Sequence, residues 1–241
     1  MFVNNRMNIY LEMKALRIVL VFITLVVAGN FGIAQRTEDR NVGSFYAISA
    51  AEGIDVYVKP GTKEKVRVEA SGIDVNDVLT DVGGGRLKIH LSGNRHRNHS
   101  VKVFVTFVKL EEISASSAAN VISEGIIESK SLDLSVSSAA DIELDINVGS
   151  VEAVASSAGD IELSGKADRI DASASSAGGV DAYDLEAKKV RARASSGADI
   201  KVHASEEIDA KASSGGSVRY RGNPQRSHTD SGSGGSVRKS H

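Results

Sequence analysis

The chain has 241 residues, a formal net charge of −2, no cysteine, no tryptophan and only 5% aromatic residues. Lack of cysteine removes both disulfides and a bacterial lipoprotein anchor, so packing and hydrogen bonding must hold the fold. The first 34 residues carry Arg6, Lys14 and Arg17 against Glu12, which leaves the remainder at −4, without the clustered basic face that nucleic-acid binding requires.

In chain order, Lys14 and Arg17 precede an apolar run from Ile18 to Val27, and the small residues Ala28, Gly29, Gly32 and Ala34 follow. That order is the order of a secretory signal peptide, here residues 1–34. The competing reading is a membrane anchor, for which the run is short; translation starts at Met1, Met7 or Met13. No later stretch is apolar and long enough to span a bilayer as a helix. Residues 35–44 are polar and read as a flexible lead-in. A single domain is expected over 45–241, with N-terminal strands at 45–112 and repeats at 113–241.

Ile54, Val56 and Val58 alternate with polar residues up to the turn signal Pro60-Gly61, and Val66, Val68 and Ala70 alternate after it, which predicts a hairpin. Leu87, Ile89 and Leu91 predict a strand after Gly83-Gly84-Gly85. Arg95-His96-Arg97-Asn98-His99 reads as a solvated basic loop tip, and Val101, Val103 and Val105 open the next strand. No 3.6-residue apolar period occurs, so almost no helix is expected.

From residue 113 one phrase recurs: an alternating run, a Ser-Ser-Ala-Gly-like turn, and a second alternating run. Its marker serines are Ser117, Ser138, Ser157, Ser176, Ser196, Ser214 and Ser233, at intervals of 18 to 21 residues. A fixed period of about 19–20 residues is the signature of a solenoid. Apolar residues stand four and two positions before the first six markers, as in Ala172 and Ala174, and four after all seven, as in Val180; Asp, Glu, Lys, Arg and Ser mostly fill the places between. Each turn therefore holds two strands, apolar inward, with a looser connection of about seven residues to the next. The expected fold is all-β, a right-handed parallel β-helix-like solenoid preceded by a β-hairpin region. Alanine dominates inward from Ala153 onward and predicts a thin coil. The serine hydroxyls read as turn-stabilising groups.

With Gly53-Ile54-Asp55 heading a Val-rich strand, followed by Ser-Ser-Ala-Ala, Ser-Ser-Ala-Gly and Ser-Ser-Gly-Ala turns in series, residues 44–238 resemble the putative auto-transporter adhesin, head GIN domain family. Asp55 stands where that family has Asn. The resemblance implies a β-helix-like fold in an exported protein of the Gram-negative cell envelope and a role in adhesion.

Three residues after the markers lie Asn120, Asp141, Asp160, Gly179 and Asp199. Stacking sets Asp141 beside Asp160, a carboxylate pair that either binds Ca²⁺ or simply consists of good turn residues. Asp171 with Arg191 and Arg193 offers an acid–base constellation, or a set of solvated cross-turn pairs. The functional expectation is a non-catalytic adhesion, interaction or envelope-structural module without an organic cofactor. It would be located in the periplasm, on the outer-membrane surface or outside the cell. Its partner would be an extracellular polysaccharide or cell-surface protein, or a second copy through the solenoid ends. The alternative is a β-helix carbohydrate-active enzyme, a polysaccharide lyase or hydrolase.

Overall fold

One curled sheet of seventeen strands, mostly parallel, is wound coil by coil into a solenoid in a computed structural model that describes residues 36–93 and 99–240. The expected signal peptide, residues 1–34, the loop residues Arg95 to Asn98 and His241 lie outside the described residues. Residues 36–241 form one compact unit. The described chain is almost all strand, with one 3₁₀ turn at Val75–Asp77.

The N-terminal strands are β1 (Arg36–Arg40), β2 (Ala47–Ala50), β3 (Asp55–Pro60), β4 (Lys65–Ser71), β5 (Val78–Gly83), β6 (Arg86–Leu91) and β7 (Ser100–Phe107). Next come β8 (Glu112–Ala115), β9 (Asn120–Ser123), β10 (Ile127–Val136), β11 (Asp141–Ala155), β12 (Asp160–Ala174) and β13 (Gly179–Ala194). The chain closes with β14 (Asp199–Ala212), β15 (Ser217–Arg221), β16 (Arg226–Ser231) and β17 (Ser236–Lys239).

From β10 to β14 each coil is one long bent strand, paired in parallel and in register with the next: Ile142 with Ile161, Leu144 with Leu163, Ala153 with Ala172. The connection expected to be loose is therefore hydrogen-bonded strand, because Ile146, Asn147 and Val148 pair with Gly165, Lys166 and Ala167. Register slips at Glu162/Gly165 between β12 and β13, and at Ala182/Glu186 between β13 and β14. These bulges absorb the uneven repeat lengths on the side away from the serine turns, whose own register is unbroken. At the β12 bend glycine is required: a Cβ on Gly165 (φ +107°) would lie 2.1 Å from the Ile146 carbonyl oxygen of the coil below.

The core runs continuously along the axis. Ile48, Ile54, Leu87, Ile89 and Ile113 fill the N-terminal coils and are fully buried. In the later coils Ala172, Ala192 and Ala210 face Val180, Ile200 and Val218, all at most 3% exposed, so the coil is thin there, as the alanine pattern predicts.

Two expectations fail at the N-terminal end. β3 and β4 do not close as a simple hairpin, because β7 lies between them: Val103 of β7 pairs with Val56 in parallel and with Val68 antiparallel. β6 likewise runs parallel to β2 on the side opposite β8. The coil β6–β7, later in sequence, thus stacks outside the coil β2–β3. Nor is the lead-in 35–44 loose throughout: Arg36–Arg40 pairs antiparallel with β4. Its five polar residues give no alternation signal because an edge strand with two exposed faces needs none. Antiparallel β5 covers the outer edge of β6, and β4 covers that of β7.

At the other end Ser227, Thr229 and Ser231 of β16 stand in register with the buried Ile208, Ala210 and Ala212. Hydroxyls thus replace apolar groups at the inward positions of the last coil, the polar terminal cap that a solenoid needs.

Candidate functional site

The marker serines all sit at one corner. Ser117, Ser138, Ser157, Ser176, Ser196 and Ser214 have φ between +50° and +57°, and the residue after each is also left-handed, from Ala139 at +56° to Gly215 at +76°. The turn closes with an i→i+3 backbone bond, as from Gly159 N–H to Ser156 O at 3.0 Å. Two consecutive positive φ values with this bond define a type I′ turn, a conformation usually built from Asn and Gly. Turns then bond to one another: Ala118 N–H donates to Ser138 O at 3.1 Å, Ala139 N–H to Ser157 O at 3.2 Å, and Gly197 N–H to Ser214 O at 3.1 Å. The corner is a backbone ladder, with serine and alanine side chains exposed along it.

The Gly53-Ile54-Asp55 motif is the first rung. Glu52 (φ +66°) and Gly53 (φ +68°) occupy the two left-handed positions, and Gly53 N–H donates to Ser117 O at 2.9 Å. Ile54 fills the buried position after the turn, and Asp55 opens β3. The repeat alignment missed this rung because Glu52 shares no side-chain chemistry with serine. The Glu52 carboxylate instead accepts from Leu91 N–H at 2.6 Å, tying the turn to the neighbouring coil where the long loop interrupts the ladder.

Asp55 heads the column that continues through Asn120, Asp141, Asp160, Gly179 and Asp199. Asn120 donates to Asp55 at 2.7 Å, and Arg219 reaches Asp199 at 2.9 Å. Asp141 and Asp160 are in register, as expected, and Glu143 and Glu162 form a second acidic pair beside them. Burial first, and the Asp141 charge second, raise the Asp160 carboxyl above the ordinary carboxylate range. Gly179 gives that carboxylate room: a Cβ there would lie 2.2 Å from Asp160 Oδ1. Asn120, Ile122 and the four carboxylates line an open groove of about 320 Å³. Among the described residues no three or more carboxylates or imidazoles converge as a metal site.

Asp171, Arg191 and Arg193 are brought together, but with Asp209 as a fourth member. Arg191 lies 3.4 Å from Asp171 and 3.8 Å from Asp209, and Arg193 spans the same pair at 3.8 and 4.0 Å. Charges alternate from coil to coil there, and the same arrangement joins Lys188 to Asp168 and Lys201 to Asp181, each at 2.7 Å. Residues 113–186 hold fourteen carboxylates against three cations, and residues 187–241 hold eleven cations against five carboxylates. Net charge is therefore −11 over the middle coils and +6 over the last ones.

A stacked, single-chain β-solenoid with flat charged faces and tight uniform corners is the class these features define. The chain belongs to the family described as putative auto-transporter adhesin, head GIN domain, whose pattern matches residues 44–224. The last coil, β16–β17, extends past that match and keeps the same turn at Ser233 and Gly234. Among solved structures, the chain is similar to a putative adhesin from Bacteroides fragilis NCTC 9343, at 20% identity, a TM-score of 0.78, and coverage of 86% of this chain and 97% of that one. It is also similar to a putative adhesin from Parabacteroides merdae ATCC 43184, at 18% identity, a TM-score of 0.70 and coverage of 88% and 98%. A putative lipid binding protein from Parabacteroides distasonis ATCC 8503 matches at 17% identity, a TM-score of 0.67 and coverage of 87% and 98%. At these identities the likeness establishes the fold. No curated protein matches the chain. Among the described residues no helix is long and apolar enough to cross a membrane.

Proposed function

We propose that the chain is an exported, non-catalytic module of the cell envelope that holds an extended surface polymer against its flat faces. Residues 1–34 direct export, and the folded solenoid works in the periplasm, on the outer-membrane surface or outside the cell. One observation carries this reading: the serine corners are type I′ turns and the strands on either side of them stay in register, so outward positions recur at every coil. Such a surface, with a spacing of about 4.8 Å between like residues, matches a partner that is itself linear and repetitive.

Polysaccharide is favoured over a second copy as the partner, because the outer edges of β6 and β7 are covered by antiparallel strands and the last coil begins with β16, a strand of six polar, exposed residues with no apolar face to offer a copy. The lyase or hydrolase alternative draws its acid and base from Asp171, Arg191 and Arg193. Their charges are already matched across coils, which leaves the adhesive reading stronger.

The test is retention of the purified protein on immobilised dextran, xylan, chitin and polygalacturonate and on intact bacterial cells, with release of reducing ends followed in parallel. Saturable retention on at least one polymer without reducing-end release is expected. Turnover of a polymer, or no retention on any surface, overturns the proposal.

A further inference from the structure

The nesting of β7 between β3 and β4 creates a surface that neither strand pattern announces. One cross-strand row on the outer face is Tyr57, Phe104 and Arg67; the next is Lys59, Thr106 and Lys65. The Tyr57 and Phe104 rings stack with centroids 5.1 Å apart and planes 16° apart, and the Arg67 guanidinium lies 4.8 Å above the Phe104 ring. Both rings are half-buried, so their edges line the surface. Lys59 and Lys65 are exposed, stand two strand spacings apart (roughly 10 Å) and flank the Thr106 hydroxyl.

Cations over much of the molecule are matched across coils, as in the Lys188–Asp168 and Lys201–Asp181 pairs. Lys59 and Lys65 have no ion-pair partner among the described residues. Together with Arg67, Phe104, Thr106, Arg40 and a single carboxylate, Asp39, they line a groove of about 380 Å³, within the size range of ligand sites. Its wall is fixed: Arg40 donates to the Val75 carbonyl at 2.8 Å, to Thr80 Oγ1 at 3.1 Å and to Glu38 at 2.9 Å.

We infer that this tile binds an acidic polysaccharide, a chain of uronic-acid sugars; the inference rests on the polymer-binding reading above and names its site and ligand class. The Lys59 and Lys65 ammonium groups take the sugar carboxylates through charge-assisted hydrogen bonds, while Arg67, paired with Glu69 at 2.8 Å, stays seated over the Phe104 ring. The ring edges and lysine stems meet the apolar faces of the sugar rings. The separation of the two lysines suits the advance of two sugars along an extended chain. A planar anionic membrane fits worse, because the same face continues into the acidic middle coils at Asp141 and Glu143, which repel it. A narrow polymer lies on the tile and avoids them.

The test is binding of the protein to immobilised polygalacturonate, with dextran and phosphatidylglycerol vesicles as comparison surfaces. The variants are the double substitution Lys59→Gln/Lys65→Gln and, as a control of equal charge change, Lys188→Gln/Lys189→Gln. Binding to polygalacturonate that weakens with added NaCl is expected. It should fall about tenfold or more in the Lys59/Lys65 variant, as for loss of two charge-assisted contacts, and hold in the control. Both variants alter exposed side chains, and a circular-dichroism melt verifies that they fold. Equal binding by both variants, retention on dextran alone, or a preference for vesicles overturns the tile; the first two leave the polymer reading standing. No retention on any polymer overturns both.

Discussion

Replacing Ala118, Ala139, Ala158 and Ala177 together by glycine should stabilise the protein. Each of these alanines follows a marker serine, has φ between +56° and +60°, and exposes its methyl group. The left-handed conformation costs an L-residue about 1–2 kcal/mol. Glycine removes that cost but adds about 0.4–1 kcal/mol of unfolded-chain entropy. No buried contact is lost, so a net gain of about 0.5 kcal/mol per site, and at most about 2 kcal/mol for the four stacked sites, follows from those two ranges. For a domain of this size that is a rise in Tm of about 4–8 °C. The chain supplies its own comparison, because the later turns already carry Gly197, Gly215 and Gly234 at this position. Gly215→Ala should therefore lower Tm where the four reverse changes raise it. Thermal melts followed by circular dichroism read both. An unchanged or lower Tm in the quadruple variant would refute the claim that strain resides at these corners.

Asp160→Asn should raise Tm at neutral pH. The native state holds the Asp160 proton to higher pH than the unfolded chain does. Ionisation therefore costs stability above the folded pKa, and the cost fades as pH falls through that pKa toward the ordinary value of about 3.9. The variant's advantage should shrink over the same window in melts at stepped pH; an advantage that persists below pH 4 contradicts the assignment. Gly165→Ala should be severe, costing about 3 kcal/mol or more in urea unfolding, because positive φ and a backbone contact of 2.1 Å act together. Millimolar Ca²⁺ and Mg²⁺ should raise Tm alike by screening the −11 charge of the middle coils. A rise of several degrees with Ca²⁺ alone would put an ion at Asp141 and Asp160.

What the sequence revealed was whatever repeats with a constant offset. The serine markers, the inward alanines and the Asp141–Asp160 neighbours follow from one alignment, because parallel in-register stacking turns equal sequence position into spatial contact. The N-terminal strands escaped the same logic. Val56 and Val103 are partners, yet no periodicity links them, since β4, β5 and β6 intervene. The Tyr57–Phe104 stack was invisible for the same reason. Glu52 was missed for another: its rung is defined by backbone angles, which Glu rarely adopts and which no side-chain pattern advertises. With Glu52–Gly53 recognised as a turn, Asp55 falls at once into the column headed for Asn120 and Asp141.

The insertion of the β6–β7 coil outside β2–β3 also bears on how the chain assembles during synthesis. A simple solenoid lets each new coil dock on the one before it as it emerges. Here β2 and β3 come early, but both flanks of each stay open, one until β6 and β7 have been made and the other until β8 and β9 follow, and β4 has no inner neighbour until β7 slides in beside it. The first productive nucleus therefore needs the chain through Phe107, and its closing contacts join residues far apart in sequence, which makes them slow to form. Once the β8–β9 coil has docked back on β2–β3, every later coil is local to the last, and growth toward the C-terminus can proceed by rapid addition. The slow, exposed phase of folding is confined to the segment that ends with β9.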